Sequence, residues 1–235
     1  MHDLVLSAGV DPGRVFRIPI GIDLERFPGV DEEARKRARE ALDLPGDAFV
    51  VGSFQKDGVG WKEGFQPKLV KGPDVLVAAL AVVREQADDL VVLLTGPARG
   101  YVERELGRRA IRYRHVRVGP RDELVRAYHA LDVHLVASRQ EGGPKSVLES
   151  LASGIPIVST RVGQAPEIVE HGVTGLLADV EAAEALAGHL LRLRGDSQFA
   201  QALSRAGRLA AAEYEYTRLD PRWAELLEGF VERVS

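Results

Sequence analysis

The sequence predicts an α/β fold: a Rossmann-like, doubly wound parallel sheet with extra helices at its C-terminal end. Three observations carry this. Short apolar runs alternate with helical patterns from Ala48 to Ala178, the order that gives parallel strands joined by right-handed crossovers. The run Leu90-Val-Val-Leu-Leu94 is apolar without alternation, as expected of a strand covered on both faces. The glycine-rich and charged motifs fall just after the strand candidates, and such sheets bind ligands beyond the carboxyl ends of their strands.

Met1 to Val10 reads as a short amphipathic helix, Asp11-Pro12-Gly13 as a turn and Val15 to Ile18 as a strand candidate. Asp31 to Leu42 is a charged helix with acids first and bases later, which suits the helix dipole; its charges read as a solvated face. The alternation then begins with a strand at Ala48 to Ser53. The segment from Phe54 to Val70 is a long loop whose glycines and Lys56, Lys62 and Lys68 suit phosphates, and whose Trp61 and Phe65 suit stacking on a ring. Helices follow at Pro73 to Gln86, Tyr101 to Ala110 and Asp122 to Leu131, with strands at Leu90 to Thr95 and His115 to Val118. After the central stretch, Gly175 to Ala178 is the last strand, and helices are expected at Ala182 to Arg194, Gln198 to Glu213 and Pro221 to Val234.

The chain is organised around Val133 to Glu167. Val133 to Ala137 reads as a buried strand, and a polar turn then holds Glu141, Gly142 and Gly143. Pro144 suits the first position of a helix, on which Val147, Leu148, Leu151 and Ala152 share one face. Gly154 ends the helix, and Ile155 to Val158 is a strand candidate. A strand that turns through glycines onto a helix start is an anion site, because the first helical amides lack internal partners and carry the positive end of the dipole. A phosphate there would accept from the N–H groups of Lys145, Ser146 and Val147, with close approach permitted at Gly142 and Gly143. Glu141 stands before the helix and Glu149 one turn inside it, leaning back toward the mouth. One carboxylate suits a ribose diol and the other a sugar's hydroxyls.

The spacing of Glu141 and Glu149, with Ala152-Ser-Gly-Ile-Pro156 and Val162-Gly-Gln-Ala-Pro-Glu-Ile-Val169, resembles the signature of the family 4 glycosyltransferases, retaining enzymes of the two-domain GT-B fold. The likeness continues through His171-Gly-Val-Thr-Gly-Leu-Leu177 and upstream to Lys71-Gly-Pro-Asp74 and Ile18-Pro-Ile-Gly-Ile-Asp23, so it covers most of the chain. It implies the C-terminal, donor-binding half of a GT-B enzyme that transfers a sugar from a nucleotide-diphosphate sugar to an acceptor hydroxyl with retention. Lys71 and Glu141 are then the catalytic candidates, with Lys71 on the donor phosphates, Glu141 on the donor sugar and Glu149 on the ribose. Gly52, Ser53, Gly96 and Arg99 become further donor-side residues, and the nucleobase is expected against Val118 and Gly119. Two positions depart from the family pattern. Ser53 stands where an arginine is usual after the glycine, and Pro144 brings no N–H to the mouth.

The resemblance also implies a division into a remnant of the N-terminal half (1–22), a linker with the charged helix (23–45), a nucleotide-sugar-binding domain (46–195) and C-terminal helices (196–235). The acceptor half is expected from a missing N-terminal GT-B domain, in cis or in trans. An alternative is a non-catalytic nucleotide-sugar-binding or regulatory module; a related sugar-nucleotide epimerase fits the Glu141 to Glu149 spacing less well.

Composition narrows the rest. With 235 residues, 45% of them hydrophobic, the chain can bury a full core. A formal charge of −4 gives no basic surface for nucleic acid. No cysteine is present, so disulfides and cysteine-based zinc sites are excluded, and the six histidines show no ligand spacing. No Gly-x-Gly-x-x-Gly follows the first strand, no Gly-Lys-Ser/Thr occurs, and no Asp-x-Asp offers a metal site. Metal independence and no cofactor beyond the nucleotide-sugar substrate are therefore expected. Val75 to Val83 is too short to span a bilayer and the start shows no signal peptide, so a cytoplasmic protein is expected, with peripheral membrane association left open.

Overall fold

The structure is a computed structural model describing residues 2–119 and 121–228. The expected end of the last helix, beyond Glu228, lies outside the described residues. Its strands are β1 (Phe49–Phe54), β2 (Leu90–Thr95), β3 (Arg112–Val116), β4 (Val133–Val136), β5 (Ile157–Thr160) and β6 (Leu176–Ala178). Its helices are α1 (His2–Ser7), α2 (Glu32–Ala41), α3 (Pro73–Gln86), α4 (Gly100–Arg108), α5 (Arg121–His129), α6 (Lys145–Ala152), α7 (Ala165–Ile168), α8 (Ala183–Gly195), α9 (Ser197–Ala212) and α10 (Tyr216–Glu228). The strands form one sheet in the order β3-β2-β1-β4-β5-β6, parallel throughout. This is the doubly wound order of the Rossmann fold.

Both faces of the sheet are covered, which explains why its central strands show no polar alternation. Val51, Val92, Leu94 and Leu135 pack on one face with Leu76 and Leu80 of α3, Leu106 of α4 and Leu190 of α8. On the other, Val50 and Leu93 meet Tyr128 of α5 and Leu131 just beyond it, and Val136 and Ile157 meet Leu148 and Leu151 of α6. α9 packs on α6, and its Leu203 joins the core.

Five expectations need correction. β3 runs over Arg112–Val116, starting three residues earlier than expected and leaving Val118 beyond its end. Val15 to Ile18 is not a strand: Ile22 makes a bridge, to Glu215, and the segment before it carries no regular secondary structure. β5 begins two residues later than expected. Gly154 sits at φ +73°, and Pro156 has no N–H to give the ladder, so its carbonyl accepts from His134 and pairing starts at Ile157. α10 starts at Tyr216 and contains Pro221, at the loss of one helical hydrogen bond. α2 is not merely solvated. Arg35 and Arg39 both bind Asp132 at 2.7 Å, and Arg39 also donates to the carbonyls of Gly46, Ala48 and Ala130. The same carboxylate accepts from the Val50 amide, so α2 is pinned to the entrances of β1 and β4.

Among the described residues no helix is long and apolar enough to cross a membrane.

Candidate functional site

The strand order reverses between β1 and β4, and a crevice opens outside the carboxyl ends of the strands at such a switch point. The chain leaving β4 runs through Ser138 and Glu141 into α6, and the start of α3 lies against it. That approach depends on Gly72, which adopts φ +60° and whose added Cβ would lie 1.9 Å from the Ala137 carbonyl oxygen. Arg139 locks the two segments together. Its N–H donates to Val70 O at 2.9 Å, and its guanidinium donates to Leu69 O at 2.7 Å, to both Asp74 oxygens at 2.7 and 2.8 Å and to Glu181 at 2.8 Å. The bidentate hydrogen bonds from Arg139 hold the Asp74 carboxyl below its ordinary range.

The clamp delivers Lys71 to Glu141. The ammonium lies 2.7 Å from both carboxylate oxygens, and Ser138 Oγ donates to Oε1 at 2.8 Å. Gln55, at the exit of β1, donates to the Lys71 carbonyl at 3.2 Å. An ammonium has three protons, so engagement by Glu141 leaves donor capacity for an anion alongside.

The helix mouth differs in detail from the sequence expectation. Pro144 precedes α6 as its cap residue, and its carbonyl accepts from Val147 at 3.0 Å. The Val147 amide is therefore not available to a ligand. The amides of Lys145 and Ser146 have no hydrogen-bond partner among the described residues. Gly142 is exposed, and a Cβ there would meet open space. Gly143, in contrast, is needed for internal packing: a Cβ would lie 2.1 Å from Ile20 Cδ1. Ile20 is itself fixed by donating its N–H to Gln164 Oε1 at 2.9 Å. The glycine turn is thus braced from behind at Gly143 and left open at Gly142.

Glu149 is half-buried, and its Oε2 accepts from the Tyr128 hydroxyl at 2.9 Å. Burial pushes its pKa up, while the hydrogen bond from Tyr128 and the charge of Lys145 act in the opposite direction. Tyr128 is fully buried and lies well above its ordinary pKa, through desolvation first and then the neighbouring carboxylate.

Three expected donor-side residues are corrected. Gly52 serves packing, because the space its Cβ would take is filled by Leu131. Ser53 is fully buried and its hydroxyl accepts from Arg99 at 3.1 Å. Arg99 is 1% exposed. It donates to the carbonyls of Ser53, Gln55 and Thr95, and its Nε lies 3.0 Å from Asp57 Oδ1. The arginine missing after Gly52 in the sequence is therefore matched by one arriving from the β2–α4 loop, but it ties β1 to β2 instead of reaching the crevice.

Gly96 is half-buried at the exit of β2, where its carbonyl meets His115 Nε2 at 2.8 Å. Val118 packs partly into the core, and the Gly119 amide donates to Glu123 at 2.7 Å, so that N–H is engaged within the protein. The loop after β1 forms a pinned excursion. Gly58 bridges Pro67, Lys68 N donates to Asp57 O at 2.7 Å, and Gly100 N donates to Glu63 O at 2.6 Å. Trp61 at its tip is 81% exposed, with Lys56 Nζ 3.5 Å from its ring centre.

Sequence reasoning missed Ser138, Arg139, Asp57 and Tyr128. Tyr128 shares a helical face with Leu124 and Leu131 and so reads as core; only its hydroxyl, invisible to periodicity, points to a site.

Fold and site together define a Rossmann-like α/β protein with an open helix mouth between two carboxylates and a lysine. Residues 64–196 match the glycosyl transferases group 1 family, and the chain belongs to that family. It is similar to the D-inositol 3-phosphate glycosyltransferase of Corynebacterium urealyticum, 33% identical over 228 residues that make up 91% of this chain and 50% of that protein. The D-inositol 3-phosphate glycosyltransferase of Salinispora tropica is 33% identical over 92% of this chain and 46% of its own. The chain spans about half the length of the curated relatives it matches. In fold it is similar to Anabaena Alr3699/HepE, solved in complex with UDP and glucose, with a TM-score of 0.82 at 21% identity over 97% of this chain and 60% of that one. Sucrose-phosphate synthase of Thermosynechococcus elongatus gives 0.75 at 28% identity over 91% and 52%. The sheet and its helices are the Rossmann-like half of the GT-B architecture.

Proposed function

We propose that this chain binds the nucleotide-diphosphate sugar of a retaining, metal-independent glycosyltransferase. The observation that carries the reading is the pairing of Lys71 with Glu141 just before α6, whose Lys145 and Ser146 amides have no partner among the described residues, with Glu149 a turn further along α6. The diphosphate lies at the helix mouth, Glu141 orients the donor sugar, and the remaining oxygen of Glu149 takes the ribose hydroxyls. In transfer, the bond from the anomeric carbon to the diphosphate breaks and a bond to the acceptor oxygen forms on the same face. The acceptor's proton leaves with the departing diphosphate. Negative charge grows on that diphosphate, and each preorganised donor aimed at it contributes about 3–4 kcal/mol in comparable sites. Lys71 and the α6 dipole supply this positive charge from the protein, which is the ground for proposing that no metal or other cofactor is needed.

The acceptor site and robust turnover are assigned to the half of the relatives that this chain does not span, present in cis or in trans. The UDP complex of a protein of this fold makes UDP-sugars the first to test. A thermal-shift panel of UDP-, GDP- and ADP-sugars tests the reading, since a ligand that binds only the native state raises the melting temperature. One nucleotide series should raise it, undiminished by EDTA; a flat response to all three would reject the reading.

A further inference from the structure

We infer that Tyr128 is the positioning residue that fixes Glu149 for nucleotide binding, so that the chain's preference for a ribose over a deoxygenated sugar is set from α5. The inference rests on the reading of Glu149 as the ribose ligand. Its observations are separate from that reading.

Glu149 sits half-buried on an eight-residue helix. A flexible side chain there has several rotamers, and only some aim an oxygen at the mouth. Tyr128 selects among them. Its hydroxyl donates to Glu149 Oε2 at 2.9 Å and lies 3.5 Å from the Ser146 carbonyl, so it touches α6 at both the carboxylate and the first turn. The ring cannot swing to release it. Phe54 packs edge-on at 4.8 Å between centroids, His134 lies at 5.5 Å and Phe27 at 6.1 Å. Those neighbours come from β1, β4 and the segment before α2, so the phenol is held from three directions. With Oε2 committed to the phenol, Oε1 has no hydrogen-bond partner among the described residues and is the oxygen left for a vicinal diol.

A hydrogen bond from a neutral donor to a carboxylate is also what keeps a buried carboxylate an acceptor. Without it, a diol would meet a Glu149 that is less well aimed and more readily protonated. The effect should therefore reside in the ribose hydroxyls and nowhere else in the ligand.

Titration calorimetry on the full chain tests this with UDP, GDP and ADP, and with the 2′,3′-dideoxy counterpart of whichever binds most tightly. Tyr128→Phe keeps the ring and removes only the hydroxyl. Wild type should prefer the ribonucleotide, and Y128F should bind it about tenfold more weakly while binding the dideoxy nucleotide as wild type does. Glu149→Gln should shrink the same preference, and adding Y128F to it should cost little more, because the two residues act as one unit. Equal ribonucleotide affinity for wild type and Y128F would overturn the inference, as would an equal loss for both ligands, which would mark Tyr128 as packing alone. A wild-type chain that binds none of the three nucleotides would instead overturn the donor-site reading, and the inference with it.

Discussion

Arg99 and Asp57 form an ion pair whose two side chains are both fully buried, with Nε 3.0 Å from Oδ1. The pair ties the loop after β1 to the loop after β2, beside the crevice. A buried charge left without its partner costs about 3–5 kcal/mol. Asp57→Asn should therefore lower the unfolding free energy by about that amount, read from urea denaturation. A loss below about 1 kcal/mol would mean that the carbonyls around Arg99 suffice to hold its charge.

Gly72 sets the approach of α3 to β4. Gly72→Ala forces a left-handed conformation on an L side chain, which alone costs about 1–2 kcal/mol, and drives its Cβ into the Ala137 carbonyl. The variant should melt lower and bind nucleotide sugar more weakly, because Lys71 moves with the turn. Unchanged affinity would separate the position of Lys71 from binding.

Two buried groups give opposite pH dependences. His134 sits among Phe54 and Tyr128 with both ring nitrogens unpartnered, and burial first, then the charge of Arg99, holds its pKa down to about 3. The folded state therefore binds fewer protons than the unfolded one between about 3 and 6.5. The stability from neutral His134 is present above that window and is lost as the pH falls through it. His134→Leu should flatten the fall in urea midpoint between neutral pH and about 4. An unaltered slope would assign the acid sensitivity to other groups.

Glu149 acts the other way. Burial raises its folded pKa against the pull of Tyr128 and Lys145, so its contribution is full below the unfolded pKa and is lost as the pH rises through the folded one. Glu149→Gln should raise the melting temperature at neutral pH, by a margin that vanishes in acid, while weakening nucleotide binding. A variant less stable than wild type at neutral pH would show that the carboxylate is needed for packing.

Much of the fold was legible because the apolar runs at Leu90–Thr95 and Val133–Val136 and the helical period of Pro73–Gln86 are each set by burial of their own side chains. The crevice was legible because a strand, a glycine turn and a helix start are local in sequence. What was not legible is long-range. The partner of Arg99 lies 42 residues before it, at Asp57, and nothing in the sequence near either residue signals the pairing. Ser53, Gly52 and Arg99 stood at the right strand ends, but which side of the loop they face depends on Leu131 and Asp57. The hydroxyl of Tyr128 reaches Glu149 across two helices. Val15 to Ile18 has the composition of a strand but pairs with neither edge of the sheet, β3 or β6.

Donor binding at the start of α6 is tested most sharply by a calorimetric titration of wild type, Lys71→Ala and Glu141→Gln with the nucleotide-diphosphate sugar that the thermal-shift panel selects. Wild type should give a saturable isotherm, and each variant at least about tenfold weaker binding with the fold intact, since each removes a charged hydrogen-bonding group beside the start of α6. Equal affinities across the three proteins would rule out Lys71 and Glu141 as donor ligands.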